Sequence, residues 1–133
     1  FCGILLETTI QARVTLTTMA KQKELDFFIA SHSLAELYAV LTALPLSPRI
    51  SPGTAWRLIH ENVETVAKIV PLSSSDYSAV VKRMSELGLI SGHIYDALIA
   101  KAAEKTKVQR LLTLNPNDFK QVWPEGEAVI VIP

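Results

Sequence analysis

Three acidic positions carry the chemical interest of this chain: Glu36, Asp96 and Asp118, the last with Asn115 close by. Each stands just past an apolar, strand-like run or early in a helix. Glu36 lies six residues beyond the run that ends at Ala30. Asp96 opens the small-residue helix that follows Gly92, and Asp118 follows the run that ends at Thr113. Carboxylates gathered at one place repel one another, so a site that collects them usually holds a hard cation. Mg2+ or Mn2+ accepts oxygen ligands, activates a water and clamps a phosphate. Asp96 is the leading candidate of the three.

Each acid also has a purely structural reading, and pattern alone leaves both open. Glu36 can close a capping box with Ser33, three residues earlier. Asp96 can complement a helix dipole. Asp118 belongs to Asn-Pro-Asn-Asp, which is strong turn chemistry. The histidines, His32, His60 and His93, form no zinc-like pair on one helix, and the lone Cys2 adds no ligand pattern. His32 and His93 stand beside the candidate acids; His60 reads as a surface or structural residue. A phosphate-binding glycine loop, a dinucleotide turn and a nucleophile elbow are all absent from the sequence. Lys101, Lys105, Lys107 and Arg110 against Glu104 make a locally basic stretch. It reads either as a solvated helix face or as a surface near the acids that meets a phosphodiester backbone.

The elements that position these residues alternate. Strands are expected at 25–30, 68–72, 108–113 and 128–132, all short and apolar. Ile4, Leu5 and Leu6 lead into a polar stretch that suggests a helix ending near Lys23. Ser33 then opens a helix whose stripe is Leu34, Leu37, Tyr38, Leu41 and Leu44, ended by Pro45 and Pro48. Ser51-Pro52 starts another, with Trp56 or Ile59, Val63 and Val66 inward. A third follows Ser74 and Ser75, buries Tyr77, Val80, Met84 and Leu87, and closes at Gly88. The fourth, over 93–105, is rich in alanine, which lets a helix lie close to its neighbour. Strands alternating with helices indicate a parallel sheet covered on both faces, and sites in such sheets form beyond the carboxyl ends of the strands.

Composition sets the frame. The 133 residues, 49% hydrophobic and 20% charged, suit one domain over 1–133 with its own core. No apolar run reaches the roughly 18 residues needed to span a membrane. A formal net charge of zero gives no global signal for nucleic acid. One cysteine excludes an internal disulfide and fits a reducing cytoplasm.

Three segments together resemble the PIN domain family. Ser-His-Ser-Leu-Ala-Glu-Leu-Tyr at 31–38 looks like the family's second motif, in which a helix near the second strand brings an acid. Gly-His-Ile-Tyr-Asp-Ala-Leu-Ile-Ala at 92–100 looks like the third, with its metal-binding aspartate. Leu-Leu-Thr-Leu-Asn-Pro-Asn-Asp-Phe at 111–119 resembles the final motif. The resemblance runs from about Ile4 to the end of the chain. It implies an α/β fold, a three-layer sandwich with a central parallel sheet flanked by helices. It further implies a Mg2+- or Mn2+-dependent ribonuclease acting on RNA, most often the VapC-type toxin of a pair held inactive by a small antitoxin, with a second copy of the chain as a further partner. Carried over by position, Glu36 and Asp96 are the catalytic, metal-binding acids. Asn115 stands where the family's fourth acid usually lies, with Asp118 as a metal ligand in compensation and Thr113 and Asn115 at the rim.

The beginning departs from this pattern. Read as a helix from Ile4 onward, the chain lacks the family's first strand and first acid, and Glu7 falls too far into that helix to replace it. The expectation is therefore a domain truncated at its N-terminus, with a core slot open beside two unpaired strand edges. The alternative function is a degenerate, non-catalytic domain that binds an antitoxin or RNA.

Overall fold

Residues 26–30, Asp-Phe-Phe-Ile-Ala, set the layers by their alternation. Successive side chains of a strand point to opposite faces. Phe28 and Ala30 enter one core, while Phe27 and Ile29 enter another on the far side of the sheet. The computed structural model of the chain describes residues 3–6 and 26–132.

Five strands form one sheet: β1 (Gly3–Leu6), β2 (Asp26–Ala30), β3 (Lys68–Val70), β4 (Arg110–Leu112) and β5 (Ile130–Val131). Their order is β3-β2-β1-β4-β5, and every neighbouring pair is parallel. Among the described residues five helices cover it: α1 (Ser31–Ala43), α2 (Pro52–Ile59), α3 (Ser74–Leu87), α4 (His93–Thr106) and α5 (Pro116–Val122). Leu37, Ile59 and Val63, from α1, α2 and the π-helical turn His60–Glu64, close one face. Val80 and Met84 of α3, the buried row of α4, and Phe119 and Val122 of α5 close the other. The three-layer α/β/α sandwich expected from the sequence is the fold observed.

The start of the chain corrects one expectation. Gly3–Leu6 is a strand, not the lead-in to a helix, and it is the central strand of the sheet. Ile4 lies opposite Phe27 on one side and Arg110 on the other; Leu5, fully buried, lies opposite Phe28 and Leu111. The slot expected to stand empty is taken by this strand, with Leu5 in the core. So short an apolar run carries no period that separates strand from helix. The helix expected to end near Lys23 lies outside the described residues.

The helix starts show how local sequence positions the rest. Ser51 caps α2, its Oγ accepting from the Thr54 N–H, with Pro52 next. Ser73, rather than Ser74 or Ser75, caps α3 and makes a reciprocal capping box with Asp76. Gly88 ends α3 at φ 68°, a left-handed position that suits glycine. By contrast α1 follows β2 with no loop: its N-cap is Ala30, and no side chain caps it. The capping box expected from Ser33 and Glu36 is absent, because the helix begins two residues earlier and carries Ser33 into the protein, where it is fully buried. Tyr38, Val66 and Tyr77, expected inward, are all at least 40% exposed, and of Trp56 or Ile59 it is Ile59 that is buried. Their helices bury narrower stripes than the sequence suggested.

Helix α4 buries Ala97, Leu98, Ile99, Ala100, Ala102 and Ala103 against the sheet and its flanking helices. It is tied to α3 by Lys105, whose Nζ donates to Asp76 Oδ2 at 2.7 Å. The Lys105 ammonium, helped by the Ser73 N–H, holds the Asp76 carboxyl down at about 2.

Two outcomes are expected. Leu5→Ala removes a fully buried side chain from the central strand and should cost about 2–5 kcal/mol in urea unfolding; a loss near zero would contradict a central β1. For Asp76 the folded pKa is depressed, so its stabilising contribution is complete above the ordinary carboxylate value and is lost as pH falls toward about 2. Lys105→Met should raise the NMR titration midpoint of Asp76 back toward 3.8 and leave the fold intact.

Candidate active site at the carboxyl edge of the sheet

Because the strands are parallel, all their carboxyl ends share one edge. Helix α1 starts there, directly after β2, and α5 starts there, just after β4. Helix α4 leads into β4 and so runs back from the carboxyl edge, with Asp96 in its first turn. The chain passes from β1 to β2 and β3 on one side, then returns to β4 on the other side of β1. The edge beside β1 and β4 is therefore a topological switch point, where open α/β sheets form their sites.

Glu36, on the second turn of α1, and Asp96, on the first turn of α4, come from helices on opposite faces of the sheet. A pair of rings joins the two helices. His32, one turn before Glu36, stacks on Tyr95 with centroids 5.1 Å apart and planes 3° from parallel. His32 Nε2 also lies 3.0 Å from Glu36 Oε1. The line Glu36–His32–Tyr95 thus ends at the residue next to Asp96. Both acids are half-buried, and the N-terminus of α4 favours negative charge at Asp96.

On the same edge, Thr113 is fully buried, and its Oγ1 accepts from the Asn115 N–H at 2.9 Å. This bond fixes the turn into α5, where Asn115 is the N-cap and Asp118 lies in the first turn. Asn115 is exposed and Asp118 half-buried. Among the described residues no group of three or more acids, histidines or cysteines converges as a metal cage. Glu36 and Asp96 offer carboxylate oxygens, and Thr113 and Asn115 carry neutral oxygens on the same edge. That donor set fits Mg2+, which takes one or two carboxylates and completes its shell with waters and substrate phosphates. Glu7 is the residue after Leu6 and lies outside the described residues.

The basic stretch is elsewhere. Lys107 is the left-handed C-cap of α4 and Arg110 begins β4, both at the amino edge of the sheet. Asp96 and Lys107 are eleven residues apart, about 16 Å along a helix axis. Lys105 is engaged by Asp76, and Lys101 lies 3.4 Å from Glu104. The surface expected beside the acids is thus drawn to the opposite end by the direction of α4. His60 stacks on Trp56 and faces Glu64, a surface arrangement.

Sequence reasoning singled out Glu36 and Asp96 but left Tyr95 unremarked and gave His32 only a marginal place. The signal for His32 was its spacing of four before Glu36, which puts both on one helix face. Tyr95 shows its meaning only once α1 and α4 are side by side.

The strands and helices make a parallel α/β sandwich, and the helices that carry Glu36 and Asp96 start at its carboxyl edge. The chain matches the PIN domain family over residues 4–122, and it belongs to that family. It is 35% identical over 81 residues to Ribonuclease VapC27 of Mycobacterium tuberculosis, a match spanning 61% of this chain and 57% of that protein. The match therefore covers little more than half the length of this curated relative. In fold it is similar to the crystal structure of VapBC2 from Rickettsia felis bound to a DNA fragment from their promoter, with a TM-score of 0.64, 20% identity and 98% of each chain covered. Among the described residues no helix is long and apolar enough to cross a membrane.

Proposed function

We propose that the chain is a metal-dependent endoribonuclease of the VapC type, the toxin of a toxin–antitoxin pair working in the cytoplasm. The observation that supports this reading is the His32–Tyr95 stack, which joins the two helices that carry Glu36 and Asp96, in a PIN domain similar to a VapC ribonuclease. Glu36 and Asp96 hold the cation as the catalytic acids. When bound, Mg2+ or Mn2+ supplies an activated water and stabilises charge on the oxygens of an RNA phosphodiester. Asp96 draws on the N-terminus of α4, and Glu36 is steadied by His32. Asn115 keeps an oxygen without charge, and Asp118 reaches the site through water. Thr113 orients the turn that carries Asn115.

Glu7 adds a third acid to this reading. It directly follows Leu6, the last residue of β1, in the sequence. Glu7 is therefore the first acid of this reading.

Tyr38, Val40 and Trp56, exposed on α1 and α2, offer apolar area to a small antitoxin or to a second copy of the chain. A second reading, a non-catalytic domain binding antitoxin or RNA, draws on the missing charge at Asn115.

Cleavage of a labelled single-stranded RNA by the purified chain separates the two readings. Activity should vanish with EDTA and return with Mn2+. Asp96→Asn, Glu36→Gln and Glu7→Gln should each lower kcat by at least about 100-fold, since even residues that merely support metal ligands cost 10- to 100-fold. Thermal melts should show all three folded. The nuclease reading fails if Mn2+ produces no cleavage that Asp96→Asn abolishes; absence of any Mn2+-induced rise in Tm would favour the non-catalytic domain.

A further inference from the structure

Tyr95 poses a question that the acids do not answer. A large aromatic residue beside a proposed catalytic aspartate is half exposed, at 50%. One face of its ring lies against His32, nearly parallel, and His32 is itself held by Glu36. The imidazole is the less exposed partner, its side chain 21% accessible. The result is a two-layer stack whose tyrosine is half exposed to solvent.

Such a stack suits one kind of ligand. Flat aromatic surfaces presented to solvent bind unpaired nucleobases by stacking, and every base has a face to offer. Neither tyrosine nor histidine needs to move to receive one, because the His32 contact already fixes the ring's plane. Tyr95 also immediately precedes Asp96, so a base stacked on it belongs to a nucleotide whose phosphate lies close to the acids. Lys107 and Arg110 lie at the far end of α4 and β4, away from this edge. Stacking then supplies part of the hold on RNA that phosphate contacts would otherwise provide.

The geometry points to the His32–Tyr95 stack as the platform for one unpaired RNA base flanking the phosphodiester that is cut. This inference rests on the ribonuclease reading above. Tyr95 binds the base directly; His32 positions Tyr95. A stack of this kind is tolerant of base identity, so it selects for an unpaired nucleotide and not for a particular letter.

The test compares a short single-stranded RNA with copies carrying an abasic spacer at one position at a time. Binding is read by fluorescence anisotropy in EDTA, so nothing is cut. The unaltered chain should bind the intact strand roughly tenfold more tightly than the copy lacking the stacked base. Tyr95→Leu should bind both copies equally, at the weaker level, and Tyr95→Phe and Tyr95→Trp should keep the difference. In Mn2+, Tyr95→Leu should raise KM roughly tenfold with kcat changed less than about twofold, a split that a general loosening of the fold would not give. The platform is overturned if no spacer position weakens binding, if Tyr95→Leu still discriminates, or if Tyr95→Phe and Tyr95→Trp lose the discrimination. Should Tyr95→Leu fail to fold, the Phe and Trp variants decide alone. Absence of any Mn2+-dependent cleavage by the unaltered chain defeats the ribonuclease reading itself; cleavage without the spacer effect defeats the platform alone.

Discussion

A sheet whose strands all run one way imposes the rest of this structure. Parallel neighbours cannot be joined by tight turns, so the chain must cross over the faces of the sheet between strands. Both faces are then buried, which is why β2 feeds two separate cores from alternate residues. The same direction fixes where α1, α4 and α5 begin. Each starts at the carboxyl edge, and each presents unpaired N–H groups and a partial positive charge there. Acids at that edge are favoured by about 0.3–1 kcal/mol apiece. Two carboxylates 4 Å apart repel by about 4 kcal/mol at an effective dielectric of 20. Helix ends alone cannot balance such a pair. On the reading proposed above, a bound cation makes up the difference.

Placement within that edge depends on how closely α4 can lie on its neighbours. Four of its six buried residues are alanines, and Ala102 is fully buried. Small side chains let the helix backbone approach, whereas added methylenes in such a packed layer cost typically 1–3 kcal/mol. Asp96 stands immediately before the first of those alanines, so its position follows from the packing of Ala97 and Ala100. The Asp76–Lys105 pair joins the far end of α4 to α3. Packing sets the helix down, and the ion pair helps hold it along its length.

Much of this was legible in the residues. Four of the five strands, the helices over 33–44, 52–66, 74–87 and 93–105, and the sandwich itself follow from apolar spacing and turn chemistry. Both acids of the proposed cation site were visible because the segments around Glu36 and Asp96 resemble family motifs. What could not be read has physical causes. Gly3–Leu6 is too short to show a period, and its partners lie more than twenty residues away in sequence. Ser33 looked like a cap because three residues separate it from Glu36, yet β2 runs into α1 without a loop and the true start lies earlier. The direction of α4 carries Lys107 and Arg110 away from the acids, a fact of topology that no local pattern contains. Tyr95 and His32 sit more than sixty residues apart, so their stack belongs to tertiary structure alone.

Recovering the central strand changes the charge count of the proposed site. Without β1 the acids are Glu36 and Asp96, and Asn115 leaves its corner neutral. With β1 in place, Glu7 joins them as a third formal negative charge on the proposed reading. Counting only the acids that would touch it directly, with Asp118 held off behind a water, a divalent cation would meet an excess of one negative charge, where four direct acids would leave an excess of two. Less mutual repulsion makes the unloaded site cheaper to assemble, and less charge makes the cation easier to release. Neutral Asn115 is thus compatible with a working centre whose metal is shared with the substrate phosphate. On that reading the RNA would supply the remaining oxygens, and its grip on the protein would rely more heavily on contacts such as the face of Tyr95.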